Sequence, residues 1–309
     1  MIAILGAGAF GTSLSLAIPA EVRLWGRGLT REMRQSPRLP GHALPDRVRV
    51  MASPEAAIDG AAAILIAVPM GALRGALAAL PGTHAPLVAC CKGLDAETGL
   101  GPASLMAALG WTRSSLLTGP SFAIDVARGL PTALTLASHA RDDASMLQQL
   151  LSSPTLRVYT TDDVKGAELG GALKNVLAIA SGAVTGAGLG ASAQAALITR
   201  GLGELALIAR LEGAQSETLM GLSGLGDLML TALSESSRNY RYGLALGRGQ
   251  SFAEDTTVEG VATAAVVADL ARKHAVETPV LAMTQRLISG DITIHSALEA
   301  LMSRPLKEE

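Results

Sequence analysis

Lys174 is the only charged side chain between Glu168 and Arg200, set in the stretch LGGALKNVLAIA. On a helix its same-face neighbours at i−4, i−3 and i+4 are Gly170, Gly171 and Ala178, all small. That spacing predicts a notch around the lysine stem in which a substrate could sit. Desolvation disfavours the ammonium form and brings a lysine toward the range useful for general acid–base work. The same pattern also fits a lysine at a helix edge that reaches water. Downstream, GLSGLGDLMLT sets Asp227 among glycines and leucines, as a substrate-facing carboxylate or as a helix N-cap. In SESSRNYRYG, Arg238 offers a planar fork of donors for a phosphate, with Ser237 and Asn239 as neutral donors beside it. A solvated loop would read the same way. Lys92, in CCKGL, and the turn TGPSFA (Thr118–Ala123) each follow a candidate strand at its carboxyl end, where open α/β sheets bind ligands.

The first glycines carry a separate chemistry. Gly6-x-Gly8-x-x-Gly11 stands directly after the apolar run Ile2–Leu5 and opens a helical pattern. The glycines allow a tight turn, close backbone approach to a pyrophosphate and close packing of helix on strand. The helix N-terminus adds unpaired N–H groups and a positive dipole end. An NAD-selective site carries a carboxylate about 20 residues on. Here that place reads Trp25-Gly26-Arg27-Gly28, with Arg31 and Arg34 soon after, which favours NADP(H), or use of both NADP(H) and NAD(H). Arginines on a solvated helix face are the alternative.

The elements that must position these residues follow from the apolar runs. Candidate strands are 2–5, 22–25, 48–51, 63–68, 87–91, 116–118, 132–137 and 157–159. The early ones are near-continuously apolar, as in a parallel sheet covered on both faces. Strand and helix alternate to about residue 160; beyond it come long Ala-rich helical segments, 163–183, 191–211, 226–234, 260–273 and 279–289, without a convincing strand. The expectation is α/β: a Rossmann-type doubly wound sheet over residues 1–161 as the dinucleotide-binding domain, then an all-α substrate-binding and catalytic domain over 162–309. Aromatics at 3% and 34 glycines in 309 residues argue against a mostly β architecture. A net charge of −2 gives no global attraction to nucleic acid or anionic lipid, so an anionic ligand must meet local cations. Cys90 and Cys91 are adjacent, unsuited to a disulfide with each other and without metal-ligand spacing, so no metal is expected. Free core thiols fit a reducing compartment. With no signal peptide and no clean membrane span in the sequence, the expected location is cytoplasmic. The Ala-rich helices point to a possible homodimer.

Taken together, GAGAFGTSL, LWGR, LPG (Leu39–Gly41), CKGL, TGPSFA, ELGGALKNVLAIASG, AALITRG, MGLSGLGDLMLT, SRN and VEG (Val258–Gly260) resemble the bacterial type of NAD(P)-dependent glycerol-3-phosphate dehydrogenase, in that family's order and over nearly the whole chain. The resemblance implies a helical second domain like that of 6-phosphogluconate dehydrogenase, and interconversion of sn-glycerol 3-phosphate and dihydroxyacetone phosphate for glycerophospholipid synthesis. It implies that Lys174 accepts the C2 hydroxyl proton and that Lys92 is the second active-site lysine, near both substrate and cofactor. Gly119, Ser121, Asp227, Ser237, Arg238 and Asn239 match substrate-contacting positions. Ala9, Phe10, Arg27, Ala123, Arg238 and Glu259 match cofactor-contacting ones, beside Gly6, Gly8, Gly11 and Lys92. Ala191-Ser192 stands where the family usually has Asp-Asn, and Pro19 shortens the link from first helix to second strand. The rival readings are an NADP-dependent reductase of another small hydroxyacid, such as a ketopantoate-type enzyme, and an NADP-sensing protein of the same fold with reduced catalysis.

Overall fold

The structure, a computed structural model, describes residues 1–252 and 258–305; residues 306–309, the end of the expected helical unit, lie outside the described residues, as do 253–257. Among the described residues eight strands form one sheet: β1 Ile2–Leu5, β2 Val22–Trp25, β3 Val48–Val50, β4 Ala63–Ile66, β5 Leu87–Ala89, β6 Ser114–Thr118, β7 Thr132–Ser138 and β8 Leu156–Thr161. Their order across the sheet is β3-β2-β1-β4-β5-β6-β7-β8, so the winding reverses at β1, between β2 and β4. β1 (IAIL) and β4 (AILI) are buried along their whole length, which is why these strands read as unbroken apolar runs. The early strands β1 to β6 pair parallel, as expected, whereas β7 pairs antiparallel with β6 and β8 then runs parallel to β7. The apolar content of a strand does not encode its direction.

A helix follows each strand from β1 to β7 except β2, which leads to β3 without one: α1 Ala9–Ala17, α2 Pro54–Ile58, α3 Met70–Ala78, α4 Pro102–Ala108, α5 Ala123–Ala127 and α6 Arg141–Leu151. The helical part contains α7 Val164–Gly186, α8 Ala191–Leu211, α9 Ser216–Leu219, a π-helical turn Leu222–Gly226, α10 Asp227–Ala232, α11 Arg238–Gly247, α12 Glu259–Lys273, α13 Pro279–Ile288 and α14 Ile294–Met302. Asp163 caps α7 through Gly166 N–H (2.8 Å) and also accepts from Gln215 N–H (2.9 Å), so the start of α7 is tied to the loop after α8. β5 stops at Ala89, two residues short of the expected end, and leaves Cys90 and Cys91 in the connection beyond it. Both thiols are free and buried; burial pushes Cys91 up to about 12, with Glu259 adding to it, so neither is a nucleophile.

α11 has no counterpart among the expected helices. It crosses α7 with almost no side chain between the backbones. A Cβ on Gly243 would lie 2.0 Å from the Ile179 carbonyl oxygen, one on Gly182 2.1 Å from that of Tyr240, and one on Gly247 2.1 Å from that of Ala183. The pairs Gly182/Gly186 and Gly243/Gly247, each four apart, therefore form the contact. This crossing brings Arg238 and Asn239, in the first turn of α11, beside the middle of α7.

Candidate active site

Lys174 lies in the middle of α7 and is 5% exposed. Its Nζ donates to Asp227 Oδ1 and, at 2.6 Å, to Thr231 Oγ1. Asp227 opens α10, where it is positioned to cap, but Gly226 stands at the cap and no side-chain cap bond forms. Instead the carboxylate faces two cations. Lys92 Nζ lies 2.6 Å from Oδ2, and Oδ2 accepts no aligned hydrogen bond among the described residues, so the contact is a charge pair. Lys92 also donates to the Gly119 carbonyl oxygen (3.0 Å), which Ser121 Oγ shares at 3.2 Å. Gly119 has φ +130°, a conformation that favours glycine and turns this carbonyl toward Lys92. One carboxylate thus joins a lysine beyond β5 to a lysine on α7.

The small neighbours of Lys174 do not leave the expected notch for a substrate. A Cβ on Gly170 would lie 2.8 Å from the Ser223 carbonyl oxygen, so the π-helical turn fills that side. Gly171 faces Thr118 Oγ1 (3.0 Å from its ideal Cβ) and the Lys92 stem. These glycines admit the chain's own elements, and the close fit keeps water from the amine. Leu169, Leu173, Leu205, Leu219 and Leu228 line the space behind it. Burial pushes the Lys174 amine down to about 7, against the pull of the Asp227 carboxylate; the Lys92 charge pushes it further down.

A second polar chain adjoins the lysine. Gly260 N–H donates to Asn239 Oδ1 (2.9 Å), which fixes the Asn239 amide so that its Nδ2 donates to Asn175 Oδ1 (3.0 Å). Asn175 Nδ2 is then a buried donor with no protein partner among the described residues. Asn175 and Thr231 were not singled out from sequence. The first adjoins Lys174 and the second lies four residues after Asp227 on one helix, a spacing from which it could have been found. Ser237 is buried and caps α11 through Tyr240 N–H (3.3 Å), so it holds the helix end that presents Arg238 and Asn239. Arg238 is half exposed, 3.6 Å from Glu259 at the start of α12.

The glycine turn fits a dinucleotide. Gly6 has φ +117° and its Cβ would overlap the Ala67 carbonyl oxygen at 2.3 Å; Gly11 sits against the Gly6 carbonyl oxygen at 1.9 Å. Gly8 faces open space within 4 Å, a cradle at the N-terminus of α1, where Ala9 and Phe10 begin the helix. Arg27 is exposed two residues beyond β2, and Ala123 begins α5. β2 and β5, whose ends lead to Arg27 and Lys92, stand three strand spacings apart, roughly 14 Å. An extended cofactor can bridge that gap along the carboxyl edge of the sheet. Ala191 and Ser192 are exposed at the start of α8, whose N-terminus has no side-chain cap. Among the described residues there is no His/Cys/Asp/Glu cluster able to hold a metal.

Comparisons with known proteins agree over the whole chain. Residues 1–144 match the family described as NAD-dependent glycerol-3-phosphate dehydrogenase N-terminus, and residues 163–299 the one described as its C-terminus. The glycerol-3-phosphate dehydrogenase (NAD(P)+) of Cereibacter sphaeroides is 53% identical, covering 100% of both chains. That of Roseobacter denitrificans is 50% identical, covering 100% of this chain and 99% of its own. The crystal structure of glycerol-3-phosphate dehydrogenase from Coxiella burnetii superposes with a TM-score of 0.88 at 36% identity, covering 98% of each chain. A ketopantoate reductase from Ralstonia eutropha shares the fold at a TM-score of 0.59 and 18% identity, covering 93% of this chain and 97% of its own.

Proposed function

The chain belongs to the NAD-dependent glycerol-3-phosphate dehydrogenase family, and from that premise we propose how its residues divide the work. It is an NAD(P)-dependent oxidoreductase that interconverts sn-glycerol 3-phosphate and dihydroxyacetone phosphate. Bound NAD(P)+ supplies the hydride acceptor for oxidation of the C2 alcohol. The turn Gly6–Gly11, with Ala9 and Phe10, holds the cofactor's pyrophosphate; Arg27 takes the adenosine end, and Lys92, Ala123, Arg238 and Glu259 lie toward its other end.

Lys174 removes the C2 hydroxyl proton. Burial brings its amine down to about 7, into the range of a general base, and Asp227 and Thr231 stabilise the ammonium that results. Lys92 and Lys174 together stabilise developing negative charge on the C2 oxygen. Arg238, Asn239 and the free Asn175 donor bind the phosphate ester, with Gly119 and Ser121 lining the other side of the crevice and Ser237 holding the α11 end. The observation that carries this reading is the Lys92–Asp227–Lys174 arrangement, with its buried amine between the two parts of the chain. The experiment is reduction of dihydroxyacetone phosphate with NADPH and NADH in parallel, against ketopantoate as the rival substrate. Turnover of the phosphate ester alone supports the reading; ketopantoate turnover alone overturns it.

Arg27 sets cofactor preference in this proposal. Arg27→Ala is expected to raise the KM for NADPH by about tenfold and that for NADH by less than about threefold, as loss of one charge-assisted contact implies. Equal changes in the two constants would contradict it.

The boundary between a dinucleotide-binding domain (1–161) and a helical catalytic domain (162–309) belongs to the same proposal, supported by β8 ending at Thr161 and α7 beginning at Val164. So does a role in supplying glycerophospholipid synthesis. No helix among the described residues is long and apolar enough to cross a membrane, and two buried free thiols support a reducing, cytoplasmic location. Exposed Leu211, Met220, Met229 and Leu233 support self-association into a dimer.

A further inference from the structure

Glu168 is buried on α7, six residues and about 9 Å of helix before Lys174. Its carboxylate contacts Ser104 and takes no part in the chemistry described above. Its Oε1 accepts from Ser104 N–H (2.8 Å) and its Oε2 from Ser104 Oγ (2.6 Å), in the first turn of α4. The cap position of α4 is Gly101, which has no side chain to do this. A Cβ on Gly101 would lie 2.3 Å from the Glu168 carboxyl carbon, so the glycine is what lets the carboxylate reach the helix end.

The connection between β5 and α4 begins with the residues leading to Lys92 and ends at Gly101. It is braced on itself: Asp95 N–H donates to the Leu100 carbonyl (2.8 Å), Gly99 N–H to the Asp95 carbonyl (2.8 Å), and the Asp95 carboxylate accepts from Thr98 Oγ1 (2.7 Å) and Arg74 (2.9 Å). These bonds brace residues 95–100, between the Glu168 contact at the start of α4 and Lys92, while Glu168 itself sits on the helix that carries Lys174.

We infer that Glu168 is a positioning residue: its contact with Ser104 and Gly101 sets the placement of Lys174 relative to Lys92 across the crevice. The inference rests on the reading of Lys174 as the proton-transfer group. Burial raises the Glu168 carboxyl above its ordinary range, against the Ser104 bonds. A glutamine there keeps the shape, an acceptor for the Ser104 N–H and a donor for its oxygen.

The test compares Glu168→Ala, Glu168→Gln, Ser104→Ala and the double variant Glu168→Ala/Ser104→Ala in the full chain. The readouts are kcat and the NADPH dissociation constant, measured by fluorescence titration. The expected result is a kcat loss of about tenfold or more in Glu168→Ala, with NADPH affinity within about threefold, since small displacements of reacting groups cost rate rather than remote binding. Glu168→Gln should recover most of the loss, and the double variant should be no worse than Glu168→Ala. Wild-type kcat in Glu168→Ala, additive losses in the double variant, or a parallel fall in NADPH affinity would overturn the inference. If Glu168→Ala does not fold, Gly101→Ala decides: lost kcat with retained NADPH binding supports the inference, and unchanged kcat overturns it. A Lys174→Ala enzyme that still turned over would overturn the underlying reading whatever the Glu168 variants do. Unchanged turnover in Glu168→Ala, with Lys174→Ala inactive, would overturn this inference alone.

Discussion

Lys174→Ala is expected to lower kcat by roughly 10²–10⁴-fold, the range for removing a positioned acid–base group, while NADPH still binds. The fold should survive the change. Asp227 keeps Lys92 at 2.6 Å as its cation, so deleting the other amine does not leave a buried carboxylate without a counter-charge. The site lost is one that faces leucines, the π-helical turn and Thr231, so the cost to stability is that of a truncated side chain in a core. Steady-state rates in both directions, paired with NADPH titration, check the prediction. Residual turnover within tenfold of wild type would remove Lys174 from the proton transfer.

Asp227→Asn has the second-largest expected effect, for an electrostatic reason. The carboxylate is the shared anion of two lysines, and both contacts are close. Two unit charges about 4 Å apart interact by roughly 4 kcal/mol at the effective dielectric of a protein site. Replacing the anion by an amide exposes the lysines to each other's repulsion and spoils the placement of both. We expect kcat to fall by about 10²-fold, with a direction to the pH dependence as well. The Asp227 charge favours the ammonium form of Lys174; without it the amine pKa drops below its present value of about 7. The acidic limb of the oxidation profile should therefore move to lower pH. A limb that stays in place, or moves upward, would show that Asp227 does not act on this amine.

Most of the sheet was legible because buried parallel strands are nearly continuous apolar runs, and the glycine turn marked where the first helix begins. The α8 bounds, Ala191–Leu211, also followed from composition alone. What could not be read was anything decided by pairing at long range. The Lys92–Asp227 contact spans two parts of the chain, and nothing local marks Asp227 as the partner of Lys174 rather than as a cap. α11 escaped because its first turn, Arg238-Asn239-Tyr240, is polar, and its burial depends on glycines in two distant helices meeting each other. Gly170 and Gly171 were misleading for the same reason. Small residues announce close approach without saying what approaches, and here it is Ser223, Thr118 and Lys92 rather than a ligand. Ser237 reads as a ligand-facing hydroxyl; its oxygen also accepts the Tyr240 N–H at the start of α11, a local role that a serine before a helix commonly has.

The most direct measurement follows kcat/KM against pH in both reaction directions on the same enzyme. With a shielded amine near pKa 7 as the proton carrier, oxidation requires the neutral form and is lost as pH falls below about 7; reduction requires the ammonium and is lost as pH rises above it. Two limbs of opposite slope sharing one midpoint near 7 are expected, both absent in Lys174→Ala. Limbs that bend in the same direction, or a midpoint near the ordinary lysine value, would contradict this role for the amine.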